Sequence, residues 1–350
     1  KNTFKIMYNY KIYNLDLKSL KQKLKESKLS KKSFFYNPEW IDACYISKSS
    51  TTKNFFYIEI FAEKKEVLIL LFQLKKKYLA KILTWLFVND LNFVTPIIGD
   101  KHKFKRNDFI DTLNSIFKEL DIDLVFLDKN PKKIEDIFNP LNFYENEKSQ
   151  EIPLIKMKNL TWDRYYNEIY NSKTRQTDRR KKKLLSKIGK LEISINEKLS
   201  QKEKILEFTL ASKKLFLKKK KIESTNFSKI YTKLFNDIKD DQRYICSSLK
   251  FDGKLIASIV GKINDNNFFY LIPSYLDNSI SKYSPGRLLL KEQIKWCFEK
   301  KIDYFNFGPG NFEYKNHWSN DYEHYFKILE PRSLYGLLLL KLYKIKLLFN

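Results

Sequence analysis

The sequence predicts a mixed α/β chain of two domains. Its 350 residues exceed what one ordinary domain holds. Its apolar residues alternate between helical and strand period along the chain. Residues 201–307 then run helix, helix, three closely spaced strands, helix, strand, an order that few folds accommodate. With 28 Phe and 22 Tyr there is ample material for packed cores, so disorder is not the expectation.

In the first half, residues 33–45 read as a loop feeding a helix. Asn37 is placed as N-cap and Pro38 at the first helical position, where its missing N–H is no loss. Residues 55–62 and 66–74 are β-rich runs around a charged turn, a hairpin signature. Residues 90–98 read as strand and loop, 105–120 as a helix and 123–127 as a buried strand. Residues 128–140, with Pro131 and Pro140, read as an exit loop with a short helix. The polar stretch 145–153 is the expected linker, which divides the chain into domains 1–150 and 151–330 and a basic amphipathic tail helix over 331–350.

The second half opens with Trp162, Tyr165, Tyr166, Ile169 and Tyr170 on one helix face. A strand is expected at 191–196, with helices at 201–220 and 226–240. Strands at 243–251, 254–262 and 267–274 follow, joined by Asp252-Gly253 and by the polar turn 264–266. Asp-Gly between two strand-like runs is a strong hairpin signal. A helix from Pro285 with Leu290, Ile294 and Cys297 on one face leads back to a strand at 302–307.

The chemistry concentrates here. Ser284, Pro285 and Gly286 open the apolar helix, and Arg287 and Leu288 complete its first turn. The first N–H groups of a helix lack intrahelical partners and sit at the positive end of its dipole, so the turn suits a phosphate. Arg287 would add charge-assisted contacts. Soon after come Glu313, Tyr314, Lys315, His317 and Trp318. Acylation of an amine or hydroxyl needs a base, and it needs donors or positive charge near the oxyanion and the departing thiolate. Glu313 fits the base and Tyr314 a proton donor to the leaving group. Lys315 fits a cation for phosphate or oxyanion, and His317 is a second candidate base. An anion cradle followed by such a cluster points to group transfer from a phosphate-containing carrier.

Lys and Arg number 67 against 41 Asp and Glu, a formal charge of +26. Part of this is compositional, since Lys, Asn, Ile, Phe and Tyr are enriched together as in A/T-rich coding sequence. Arg175, Arg179, Lys183 and Lys187 recur every four residues as a positive stripe. Either it is a solvated face, or it binds an anionic acceptor near Arg175, Arg179 and Trp318. No aromatics interleave it, which argues against single-stranded nucleic acid. Cys44, Cys246 and Cys297 have neither metal-ligand nor redox spacing and suit a reducing compartment. No metal site is expected around His102, His317 or His324. No stretch is long and apolar enough to span a bilayer, and no signal pattern opens the chain, so a cytoplasmic location is expected. In the tail, Lys341, Lys344 and Lys346 alternate with bulky apolar residues. That helix is expected to dock on the protein, with peripheral contact to the inner face of an anionic membrane as its other use.

Residues 283–318 as a whole resemble the signature of the CelD-like acetyltransferases, a family with a tandem GNAT fold first noted in polysaccharide-biosynthesis clusters and related to the Fem aminoacyltransferases. The likeness lies in the turn at 284–288, in Phe305–Gly310 after the helix, and in Tyr314-Lys315 before an aromatic residue. Residues 35–43, 88–98 and 175–184 are similar to further family segments. Asn306 and Asn311 stand where the family usually has acidic residues. The resemblance implies two GNAT-like domains, each a mixed, mostly antiparallel sheet flanked by helices. It places an acyl-CoA site in the second, with Ser284, Pro285, Gly286, Arg287 and Leu288 on the pyrophosphate. The implied reaction moves an acyl group, acetyl by the resemblance, from acyl-CoA (acetyl-CoA) to an amine or hydroxyl of a sugar, polysaccharide or cell-envelope precursor, without a metal. Two other readings stay open. One is a Fem-like ligase using aminoacyl-tRNA, the only reading with a nucleic-acid partner. The other is a catalytically inactive ligand-binding module, which Asn306 permits.

Overall fold

The computed structural model describes the chain except residues 1–7, 27–37, 48–53, 89, 91–93, 100, 101, 135, 136, 145, 222–224, 311, 349 and 350. It forms two compact units. Unit 1 comprises Lys1–Glu151 and His324–Asn350, and unit 2 comprises Ile152–Glu323.

Unit 1 begins with β1 (Asn9–Asn14), α1 (Leu17–Glu26) and α2 (Pro38–Ser47). An antiparallel run follows, β2 (Phe55–Ala62), β3 (Lys65–Lys77) and β4 (Ala80–Trp85), with β5 (Ile97–Ile98) on β3. Next come α3 (Arg106–Glu119) and β6 (Leu124–Pro131), which lies parallel to β4. The small hairpin β7 (Lys133–Ile134) and β8 (Ile137–Phe138) precedes β9 (Glu147–Lys156), which leads into unit 2. Leu68 to Phe72 are buried without interruption, as expected of a strand covered on both faces. Helix α3 adds Phe109, Leu113, Ile116 and Phe117 to that core.

Unit 2 continues with α4 (Trp162–Ile169), α5 (Ser172–Ile188), β10 (Leu191–Ser194), α6 (Leu199–Lys219) and α7 (Thr225–Ile238). The antiparallel β11 (Tyr244–Phe251), β12 (Lys254–Asn264) and β13 (Asn267–Tyr275) are followed by α8 (Pro285–Glu299) and β14 (Tyr304–Asn306), parallel to β13. The short α9 (Glu313–Trp318) leads into β15 (Asp321–Pro331) and α10 (Leu334–Leu348). Both units therefore repeat one order: strand, two helices, three antiparallel strands, helix, parallel strand.

The strands of each unit are extended by a strand from outside that repeat. In unit 1, β15 pairs antiparallel with β6, with Ile328 opposite Leu127 and Leu329 opposite Phe126. In unit 2, β9 pairs antiparallel with β14, with Ile155 opposite Phe305. The expected linker 145–153 is thus largely strand. Its first half is charged and exposed, which hides the strand in the sequence, but Ile152, Leu154 and Ile155 are buried. Residues 128–140 hold the end of β6 and the β7–β8 hairpin in place of the expected loop, and a short 3₁₀ helix (Pro140–Phe143) begins at their end. Asn37 and residues 33–36 lie outside the described residues, while Pro38 does begin a helix. The three cysteines are free and buried. Among the described residues no helix is long and apolar enough to cross a membrane.

Since β15 supplies the partner of β6, ending the chain after residue 320 should strip unit 1 of its last strand and α10. Hydrogen exchange is expected to accelerate in β6 and β4, while β11–β13 stay protected. Unaltered β6 protection would show that β15 adds nothing to unit 1.

Candidate active site

Strands β13 and β14 pair over only three residues, Asn267–Phe269 against Tyr304–Asn306, and then part. Asn306 directs the separation. Its Oδ1 accepts from Gly308 N at 2.8 Å, and Gly308 and Gly310 adopt φ of +69° and +109°, values that favour glycine. A carboxylate could accept that bond equally well, so Asn at 306 preserves the turn. Beyond Phe269, β13 stays paired with β12 on one side, and its other edge borders a cavity of about 340 Å³. The wall includes Tyr270, Pro273, Ser274 and Tyr275 of β13, Gly286, Arg287 and Leu290 of α8, and Tyr314 and Trp318 of α9. Ser212, Lys213 and Phe216 of α6 complete it.

The start of α8 borders this cavity. Ser284 is left-handed (φ 56°), its N–H bonds to Ser281 O, and its carbonyl accepts from Leu288 N. No side chain caps the helix, and Pro285 brings no N–H. The Gly286 and Arg287 N–H groups fall in the first turn, where a helix offers no acceptor. The Ser284 hydroxyl instead accepts from Lys181 Nζ at 2.8 Å, which sets an ammonium beside the turn. A Cβ on Gly286 would reach Tyr275 Cδ1 at 3.4 Å, so alanine fits there and anything longer projects further into the wall.

The Arg287 side chain is committed elsewhere. Its Nε and Nη2 donate to buried Asp178 at 2.8 and 3.1 Å, and its guanidinium lies 4.8 and 4.9 Å from the rings of Tyr170 and Trp318. Asp178 also accepts from the Tyr166 hydroxyl at 2.8 Å. The Tyr165 hydroxyl donates to Trp318 O.

On α9, Tyr314 faces the cavity and is hydrogen-bonded to the Tyr270 hydroxyl. Burial pushes Tyr314 up to about 12 and Tyr270 well above an ordinary tyrosine, so both stay protonated at neutral pH. Lys315 is buried, with Nζ donating to Gly308 O at 3.1 Å and Pro309 O at 2.7 Å. Burial, and then repulsion from Lys213, bring its ammonium down to about 8. Burial also lowers Lys213.

Of the residues expected from the sequence, Gly286, Arg287, Tyr314 and Trp318 meet at the cavity, and Ser284, Pro285 and Leu288 shape its helix start. Lys315 stands just behind the wall. Glu313 and His317 form an exposed pair 3.5 Å apart and are not among the lining residues. Arg175 donates to the carbonyls of Tyr170 and Asn167, closing the end of α4, and Arg179 is exposed. Sequence reasoning passed over Lys181, Lys213, Tyr270 and Asp178. Only Asp178 carried a signal, as the one acid within the basic run 173–190. Among the described residues no carboxylate lines the cavity, and none cluster to hold a metal. In unit 1, the corresponding place between β4 and β6 is occupied by Trp85 Nε1 donating to Asn130 Oδ1 and by Lys129 Nζ donating to Val88 O.

Residues 172–316 match the family model described as an acetyltransferase (GNAT) domain. The matched segment lies within unit 2 and supports an acyltransferase. Two solved structures resemble the whole chain in fold. One is a conserved protein of unknown function from Bacteroides thetaiotaomicron, 9% identical over 92% of this chain and 100% of its own, with a TM-score of 0.52. The other is FemX, 10% identical over 93% of this chain and 99% of its own, also at 0.52. No curated protein sequence matches the chain. The matched segment includes β11–β14 and the start of α8, where β13 parts from β14.

Removing Asp178 would leave Arg287 unpaired between two rings. Asp178→Ala should cost about 3 kcal/mol in denaturant unfolding, and a loss near zero would mean the pair is dispensable. Lys213→Met should raise the Lys315 pKa above about 8, read by NMR on the lysine Nζ. No upward move would show that the two ammonium groups are not coupled.

Proposed function

We propose that unit 2 transfers an acyl group from an acyl-coenzyme A thioester, with acetyl-CoA as donor, to an amine or hydroxyl of a sugar, polysaccharide or cell-envelope precursor. The observation that carries the donor is the open edge of β13 ending beside the uncapped start of α8, with Lys181 alongside. Gly286 and Arg287 N–H groups and the Lys181 ammonium would hold the pyrophosphate. Backbone groups on the edge of residues 270–275 that faces away from β12 would bond the amides of the pantetheine arm. The acceptor class rests on the resemblance of residues 283–318 to CelD-like acetyltransferases.

At the thioester, the Tyr314 hydroxyl serves as proton donor. As the acceptor's nitrogen or oxygen bonds to the carbonyl carbon and the C–S bond breaks, Tyr314 protonates the departing thiolate. Lys213 and Lys315 supply positive potential for the oxyanion. With no carboxylate in the wall, the acceptor's proton leaves to solvent or to the exposed Glu313–His317 pair. The charge on Lys315 is lost as pH rises through about 8, so the rate should fall above that pH. A rate indifferent to pH from about 7 to about 9 would remove Lys315 from the chemistry.

Calorimetric titration with acetyl-CoA tests the donor site. Wild type should bind saturably, Gly286→Ala should bind similarly, and Gly286→Leu should bind about tenfold more weakly or worse with an unchanged melting temperature. Tyr314→Phe should retain binding but release free thiol roughly a hundredfold more slowly in an acceptor screen. Absence of acetyl-CoA binding would defeat this reading. Salt-sensitive binding of aminoacyl-tRNA in its place would favour the Fem-like reading, which the +26 charge also suits.

A further inference from the structure

Helix α10 is apolar on two faces. Gly336, Leu339, Leu340 and Tyr343 lie at i, i+3, i+4 and i+7, and the helix packs on β4 and β6, with Tyr343 against Phe126 at 5.5 Å. A Cβ on Gly336 would fall 1.7 Å from Asp123 O, so the helix sits directly on the sheet. The opposite face should then be polar. It presents Leu334, Leu338, Leu342 and Ile345 in a single stripe, with exposures of 84, 57, 50 and 51%.

A second exposed apolar element reaches the same end of unit 1. At the β3–β4 turn, Tyr78 and Leu79 are 82 and 79% exposed. Asp123 joins the two segments. It exchanges bonds with the Lys81 backbone, accepts from the Ser333 hydroxyl, and its carbonyl accepts from Arg332 N. The β3–β4 turn and the start of α10 are therefore neighbours although more than half the sequence separates them.

The charges among these side chains have one sign. Lys76 and Lys77 precede the turn and are exposed, and Lys341 is exposed beside the helix stripe. The nearby acids are engaged, Asp121 with Lys81 and Glu147 with Lys344. A second copy of this face would bring like charges together, whereas an anionic bilayer offers phosphate to the lysines and hydrocarbon to the leucines. We propose that the β3–β4 turn and the outer stripe of α10 form one surface that seats unit 1 on an anionic lipid bilayer. This surface is independent of the acyl-donor site.

Sedimentation with vesicles tests it, using phosphatidylglycerol mixed into phosphatidylcholine and phosphatidylcholine alone. The full chain should bind the mixed vesicles and bind neutral ones far more weakly. The double variants Tyr78→Ser/Leu79→Ser and Leu334→Ser/Leu338→Ser should each lower binding about tenfold or more. All four side chains are exposed, so melting temperature and acetyl-CoA binding should not move. Because these variants keep every lysine, undiminished binding would mean that basicity alone holds the protein to lipid, which overturns the proposal. So would failure of wild type to bind mixed vesicles. A concentration-dependent dimer lost in the same variants would assign the surface to a second copy.

Discussion

The Arg287–Asp178 pair organises unit 2 around its cavity. Asp178 belongs to α5 and Arg287 to the first turn of α8, while the rings enclosing the guanidinium come from Tyr170, just after α4, and Trp318, the last residue of α9. The α4–α5 region, α8 and α9 are thereby fixed to one cation. A lysine could not replace it, because the geometry uses two N–H donors toward one carboxylate and a flat cation between two rings. The backbone N–H groups of Gly286 and Arg287, in the uncapped first turn, do not take part in this pairing. The Arg287 side chain stabilises the cradle without occupying it.

Burial sets the charge state of the two lysines at the cavity. Lys213 and Lys315 are both drawn from water, each with its ammonium form disfavoured, and Lys315 is further repelled by its neighbour. Lys315 remains tolerable because two backbone carbonyls, of Gly308 and Pro309, accept from it where the chain turns away from β14. That turn exists because glycine takes positive φ and because Asn306 accepts from Gly308 N. Opening of the sheet and placement of the cation therefore have the same local cause. Relative to free lysine the shift destabilises the fold below about pH 8, and the cost is relieved as pH rises toward the free-lysine value of about 10.4.

Local chemistry was readable in the sequence, and packing phase was not. The Asp252-Gly253 turn, the strands around it and the Ser284–Gly286 helix start are set by residues adjacent in the chain, and they stand where expected. On α5 the four-residue stripe of Arg175, Arg179, Lys183 and Lys187 looked functional. The inward face is offset from it and carries Asp178, Lys181 and Leu185, and it is Lys181 that reaches Ser284. Lys213 sits in a lysine-rich helix where nothing local separates it from Lys214. Strand β9 was hidden because its charged half is exposed at one end, and only pairing with β14 defines the other. Glu313 was the natural base by residue type, but one turn of α9 points Tyr314 into the cavity and leaves Glu313 in solvent.

The placement of β15 has a temporal consequence. A ribosome finishes β6 at Pro131, yet the strand that covers its edge, β15, ends at Pro331, and all of unit 2 is translated in between. At typical elongation rates those roughly 200 residues take on the order of 10–40 s. For that interval the nascent first unit carries an unpaired sheet edge, including Val125 and Leu127, which are buried in the finished protein. Unit 2 can already be folding on the tether, so the second unit in the sequence is positioned to mature before the first.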